Sequence, residues 1–202
     1  MTALVVWIFE NWIEVAAAVL GMIYLYFSVT QKIWLWPFGL LTSLFYIYVY
    51  YVATFYADMS LQVYYVLVSI YGWIHWSKGR EGKDELPVQR CTTKVWVWSI
   101  LAGVFLWGVI YWILIHTRTD VALGDAFTTA FSIVATWMLA QKYIENWILW
   151  IVVDGVSLAL YVQKGLLATA VLFFVYTTVA VFGFYAWKKT MVLNKSREKG
   201  MV

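Results

Sequence analysis

Asn146-Trp-Ile-Leu-Trp-Ile-Val-Val-Asp-Gly-Val-Ser-Leu-Ala-Leu-Tyr-Val-Gln163 is an apolar run with one ionisable side chain, Asp154, at its middle. A helix of this length rises ~27 Å, close to the ~30 Å hydrocarbon core of a bilayer. A carboxylate at that depth is costly, and by default it suggests function. Trp147, Trp150 and Asp154 form W-x-x-W-x-x-x-D, and spacings of three and four bring all three side chains to one helical face. Ser157 and Tyr161 continue the stripe. Such a face suits a flat organic cation, because the indoles offer cation–π and stacking contacts and the acid offers countercharge. The same residues admit a structural reading, in which the tryptophans pack between helices and Asp154 hydrogen-bonds a neighbouring Tyr or Ser.

Working outward, six further stretches are long and apolar enough to span: Trp12–Thr30, Ile33–Val52, Met59–Ser77, Val95–Ile115, Val121–Ala140 and Leu166–Trp187. They are continuously apolar rather than alternating, so strands of a barrel are not expected. The chain is 64% apolar and 12% charged, where soluble domains run near half and a quarter, which excludes a soluble enzyme, a disordered chain and a nucleic-acid binder. The expected fold is an all-α membrane protein with seven transmembrane helices. Its single cysteine, Cys91, excludes a disulfide framework and a Cys-based metal site, and is expected to be inert. No cleavable signal peptide is expected, since the first charge is Glu10 and no small-residue cleavage site follows.

Lysine and arginine give the expected orientation. The connections after spans 1, 3 and 5 share a side with the C-terminus, and that side holds twelve of the fourteen Lys and Arg; only Arg118 and Lys164 lie on the other. The C-terminus is therefore expected in the cytoplasm and the N-terminus outside.

The rarer residues reveal an internal repeat. Gln31-Lys32 recurs as Gln141-Lys142 at an offset of 110. At 111, Glu14 matches Asp125, Trp36 matches Trp147, Tyr50 matches Tyr161, Tyr65 matches Tyr176, Gly72 matches Gly183 and Trp76 matches Trp187. Residues 12–77 and 121–187 are then copies of one three-helix repeat, joined by a cytoplasmic loop (78–94) and a connector helix (95–115) and followed by a cytoplasmic tail (188–202). This 3+1+3 arrangement makes both copies point the same way. Parallel repeats of this kind carry substrate between their halves near the midplane, which favours a transporter over a receptor or anchor.

Other polar groups within spans are weaker candidates. Gln62 lies one turn into span 3 with Tyr65 on the same face; its amide could bond a ligand or tie two helices together. Thr42 and Ser43 are expected to bond back to their own helix. Glu14 and Asp125 lie in the first turns of spans 1 and 5, where a carboxylate suits the helix terminus. Pro37 falls in the first turn of span 2, where proline is tolerated. His75 and His116 sit at opposite membrane sides and cannot share a metal. No G-x-S-x-G, H-E-x-x-H or Walker loop is present, so neither an enzyme nor hydrolysis-driven transport is expected, and no cofactor.

The stretch Tyr143-Ile-Glu-Asn-Trp-Ile-Leu-Trp-Ile-Val-Val-Asp154 resembles the sixth-span motif of the Pnu vitamin transporters, the family of PnuC. Tyr56-Ala-Asp-Met-Ser-Leu-Gln-Val-Tyr-Tyr65 with Ile70-Tyr-Gly-Trp73 is similar to the family's third span, and Trp34-Leu-Trp-Pro-Phe-Gly39 to the start of its second. The resemblance implies a fold like that of the SWEET sugar transporters, a homotrimer in the bacterial inner membrane, and no nucleic-acid partner. It also implies facilitated diffusion of an unphosphorylated vitamin that a cytoplasmic kinase then traps. Nicotinamide riboside and thiamine both carry a cationic aromatic ring. The short seven-span form with Trp34-Leu-Trp-Pro looks more like the thiamine (PnuT) branch, so thiamine is the expected substrate and nicotinamide riboside the alternative. Trp147 and Trp150 are expected to stack on the ring, Asp154 to act as countercharge or acceptor, and Gln62, Tyr65 and Ser157 to add polar contacts. Two other classes stay open: an ion-coupled symporter with a proton or sodium ion at Asp154, and a vitamin sensor that does not transport.

Overall fold

Each apolar run folds as a helix. The computed structural model describes residues 12–52, 56–81, 86–116 and 122–200, and these hold α1 (Trp12–Val29), α2 (Leu35–Val52), α3 (Tyr56–Glu81), α4 (Thr93–Leu114), α5 (Ala122–Ala140), α6 (Asn146–Gln163) and α7 (Leu167–Gly200). Two of them are longer than their apolar runs. α3 continues past Ser77 to Glu81, and α7 continues past Trp187 to Gly200 instead of giving way to a separate tail. Residues 188–199 contain no Gly or Pro, and their lysines suit the negative end of the helix. At 34 residues α7 is about 51 Å long, which leaves some 20 Å beyond a hydrocarbon core.

Among the described residues, five segments are long and apolar enough to cross a membrane by themselves: α2, α4, α5, α6 and Thr169–Asn194 of α7. α3 falls short because Gln62, His75 and its serines, tyrosines and tryptophans dilute its apolar stretch. Trp98, Leu101, Phe105 and Trp112 of α4 stand exposed, as does Phe182 of α7. Apolar surface on this scale belongs in lipid. The chain is an all-α membrane protein.

The chain divides into two compact units, residues 1–85 and 86–202. In the first, α2 packs against α1 and α3; in the second, α4 packs on α5, α5 on α6 and α6 on α7. The same turn occurs once in each unit. After α1 the Gln31 N–H donates to Ser28 O (3.2 Å) and the Lys32 N–H to Phe27 O (2.9 Å), with Gln31 at φ 58°. After α5 the Lys142 N–H donates to Leu139 O (2.9 Å) and the Tyr143 N–H to Met138 O (3.0 Å), with Lys142 at φ 55°. Both are left-handed helix caps of the Schellman type, with a side-chain-bearing residue where glycine is usual. The turn thus repeats at 111, not 110: Gln31 corresponds to Lys142, because the left-handed conformation recurs and the Gln-Lys pair has slipped by one.

The same offset holds in the packing. Trp36 is buried edge-to-face on Trp76 (5.3 Å, 90°), and Trp147 on Trp187 (5.7 Å, 84°). Each inner indole lies over a glycine: a Cβ on Gly183 would come within 2.6 Å of Trp147 Cζ2 and Cη2, and one on Gly72 would meet Trp36 still more closely. In the second unit Phe131 fills the space beside Gly103, and the Trp107 Nε1–H donates to Leu123 O (3.1 Å), which fastens the connector helix α4 to α5.

Residues 86–92 close on the α5–α6 turn. The Gln89 N–H donates to Lys142 O (3.1 Å), the Ile144 N–H to Gln89 O (3.0 Å), and the Lys142 Nζ to Leu86 O (2.8 Å). Lys142, read from sequence as a cytoplasmic marker, is only 3% exposed. The Cys91 N–H donates to Glu145 Oε2 (2.9 Å), at the residue that precedes α6. Thr92 caps α4, its Oγ1 accepting from the Val95 N–H (3.3 Å).

Candidate substrate site

α6 positions the predicted face. It starts at Asn146, held by the turn just described, and runs unbroken to Gln163. Asp154 is at its centre and 6% exposed, with no hydrogen bond or ion pair among the described residues. An ionised carboxylate in that position is short of the partners that burial normally demands. Among the described residues no Tyr or Ser hydroxyl hydrogen-bonds it. Trp150, one turn before Asp154 on the same face, is half-buried and packs against the cluster of Ala130, Phe131, Val134, Ala135, Met138, Leu149 and Val153. Its side chain is thus supported by the cluster without being fully enclosed.

Trp147 stands differently. It is 2% exposed, with its indole set between Gly183 and Trp187 of α7, yet its Nε1–H has no partner among the described residues. Asn146, fully buried, donates from Nδ2 to Tyr143 O (2.6 Å) and leaves Oδ1 unpaired there. One donor and one acceptor thus lie uncommitted on adjacent residues at the start of α6. Sequence reasoning passed over Asn146, although it stands inside the quoted motif; an amide next to a candidate tryptophan was the available signal. Ser157 Oγ donates to Val153 O (2.9 Å), so its proton is spent on its own helix and only its lone pairs can serve a ligand. The same back-bonding, expected of Thr42, is seen there, with its Oγ1 donating to Phe38 O (2.8 Å).

Gln62 and Tyr65 belong to the first unit. Gln62 is half-buried and its amide makes no hydrogen bond among the described residues. The Tyr65 ring leans on Tyr64 (5.6 Å). A surface depression of the first unit, lined by Ile13, Leu41, Leu44, Phe45 and Tyr48, is apolar and contains none of the predicted site residues. Asp125 lies in the first turn of α5, as a helix-terminal carboxylate should; the Glu14 side chain lies outside the described residues. Outside the spans, burial first, then the charge of Glu145 and a hydrogen bond to it, push the Cys91 thiol up to about 12.

Comparison with known proteins places this geometry. The family described as "Nicotinamide mononucleotide transporter" matches residues 11–189. The nicotinamide riboside transporter PnuC of Escherichia coli is 24% identical over 94% of this chain and 88% of its own length. PnuC of Neisseria mucosa is 29% identical, over 89% and 73%. The riboflavin/roseoflavin transporter RibM of Streptomyces davaonensis is 23% identical, over 87% and 84%. The crystal structure of the vitamin B3 transporter PnuC superposes with a TM-score of 0.72 at 28% identity, covering 93% of this chain and 86% of that one. The chain is a multi-pass membrane transporter, not an enzyme, and belongs to the nicotinamide mononucleotide transporter (PnuC) family.

Proposed function

We propose that this protein carries nicotinamide riboside across the bacterial inner membrane by facilitated diffusion. The observation that carries the reading is Asp154, a buried carboxylate without a partner among the described residues, one turn from the half-buried Trp150. A pyridinium ring is flat and positively charged, so it stacks on Trp150 and brings the missing countercharge to Asp154. Ser157 Oγ, Gln62 and Tyr65 are the further polar contacts, while Trp147 and Asn146, enclosed at the start of α6, hold its geometry.

Thiamine was the sequence-based expectation, and its thiazolium also meets these demands. The PnuC relatives, named for nicotinamide riboside, move the lead to that vitamin. Riboflavin, suggested by the RibM relative, is uncharged and would leave Asp154 without a countercharge. The distribution of lysine and arginine supports a cytoplasmic C-terminus and an outer N-terminus. A homotrimer, and a cytoplasmic kinase that traps the vitamin by phosphorylation, complete the proposal. Labelled nicotinamide riboside should equilibrate into proteoliposomes without ATP and without proton or sodium gradients. Uptake that vanishes when the gradients are collapsed would instead make Asp154 the site of a coupled ion.

A further inference from the structure

The 111-residue offset also pairs residues that do not match. Tyr24, Gly39, Ser43 and Ser69 of the first unit correspond to Ala135, Trp150, Asp154 and Ala180 of the second. In the first unit the large ring comes from the first helix of the repeat: a Cβ on Gly39 would lie 3.0 Å from Tyr24 Cδ2 and Cε2 and 3.3 Å from Ser69 Oγ. Tyr24 and Ser69 thus occupy the space over α2 at that position. In the second unit the bulk has changed sides. The middle helix carries the ring, Trp150, while the flanking helices present Ala135 (0% exposed) and Ala180 (2%). Trp150 packs against the cluster that contains Ala135.

From this exchange we infer that Ala135 is a positioning residue, which sets the depth of the Trp150 indole and hence the gap in which an aromatic cation lies beside Asp154. One repeat fills the position from its first helix and keeps a serine in place of the acid, so it builds only packing. The other empties the first helix, seats a ring on the middle helix and puts an acid one turn on. A side chain larger than alanine at 135 would lift the indole off its support and narrow the gap, with no change at Asp154. This inference rests on the reading of Trp150 and Asp154 as the ligand-contacting pair.

Two measurements test it and keep the two ideas apart. Thermal unfolding of the purified full chain tests the exchange alone. Ala135→Tyr should destabilise, and adding Trp150→Gly, which recreates the first unit's arrangement, should recover most of that loss. Titration with nicotinamide riboside tests the positioning. Ala135→Leu should weaken binding tenfold or more, and Trp150→Phe added to it should restore part of the loss, because a smaller ring fits the shallower seat. Ala135→Val serves the same purpose if the leucine variant does not fold, with a smaller loss expected. Losses that add, with no recovery in either double variant, would overturn the inference. Wild-type binding by Ala135→Leu would also do so. Wild-type binding by Trp150→Ala and Asp154→Ala would instead reject the underlying site, whatever Ala135 does.

Discussion

Trp147 lies across Gly183 so closely that a Cβ there would stand 2.6 Å from its Cζ2 and Cη2, and Trp36 stands in the same relation to Gly72. Real Cβ atoms do not approach an aromatic carbon that closely, so the ring or the helix must move. Gly183→Ala and Gly72→Ala should each destabilise by about 1–3 kcal/mol, the usual cost of overpacking. At Gly108 in α4 an added Cβ would have nothing within 4 Å, so Gly108→Ala should gain up to about 1 kcal/mol from helix propensity. Opposite signs in thermal unfolding check the packing; equal effects would refute it.

The left-handed caps at Gln31 and Lys142 give a second contrast. A residue with a Cβ in that conformation costs about 1 kcal/mol or more, so Gln31→Gly should relieve roughly that much backbone strain, less what the Gln31 side chain contributes. At Lys142 the side-chain contact is defined, since Nζ supplies Leu86 O. Lys142→Met keeps the strain and loses the bond, and should cost about 1–3 kcal/mol. Denaturation of the two variants side by side tests both statements.

How far these features could be read from sequence depends on how local their causes are. The bounds of α6 coincide with the sequence reading because an apolar run between polar ends defines them. Asp154 stood out because a lone acid in such a run is rare. Lys142 did not: a lysine at a span end reads as a membrane-side marker, and its partner Leu86 is 56 residues away in a loop. The repeat was visible in its Trp, Gly and Tyr residues but misaligned by one at Gln31, because composition records residue types and not backbone conformation. The Tyr24–Gly39 and Ala135–Trp150 exchange needed the structure, since no matched residue marks it.

Cys91 should resist thiol reagents. Its thiol titrates near 12, so at pH 8 the thiolate fraction is on the order of 10⁻⁴, roughly 10³-fold below that of a free cysteine. Labelling should be slow at pH 8 and rise about tenfold per pH unit until the thiol titrates. Glu145→Gln removes the nearby negative charge, lowers the thiol's titration point and should speed labelling at every pH below it. Unchanged rates in that variant would show that Glu145 has no hold on Cys91.

Within the proposed site, Trp150→Ala should weaken binding of a cationic vitamin, and Trp150→Phe should weaken it less, because an aromatic face is kept. Loss of a stack or cation–π contact of this kind is worth about 1–2 kcal/mol, or roughly five- to thirtyfold in Kd. Equal losses in the two variants would argue for a packing role instead.

The most direct measurement is a calorimetric titration of nicotinamide riboside, with thiamine in parallel, into the purified protein and its Asp154→Ala variant. Nicotinamide riboside should bind the wild type more tightly than thiamine does. It should lose about 2–5 kcal/mol of binding free energy in the variant, at least thirtyfold in Kd, because a desolvated charge has lost its partner. Undiminished binding by Asp154→Ala would contradict the account.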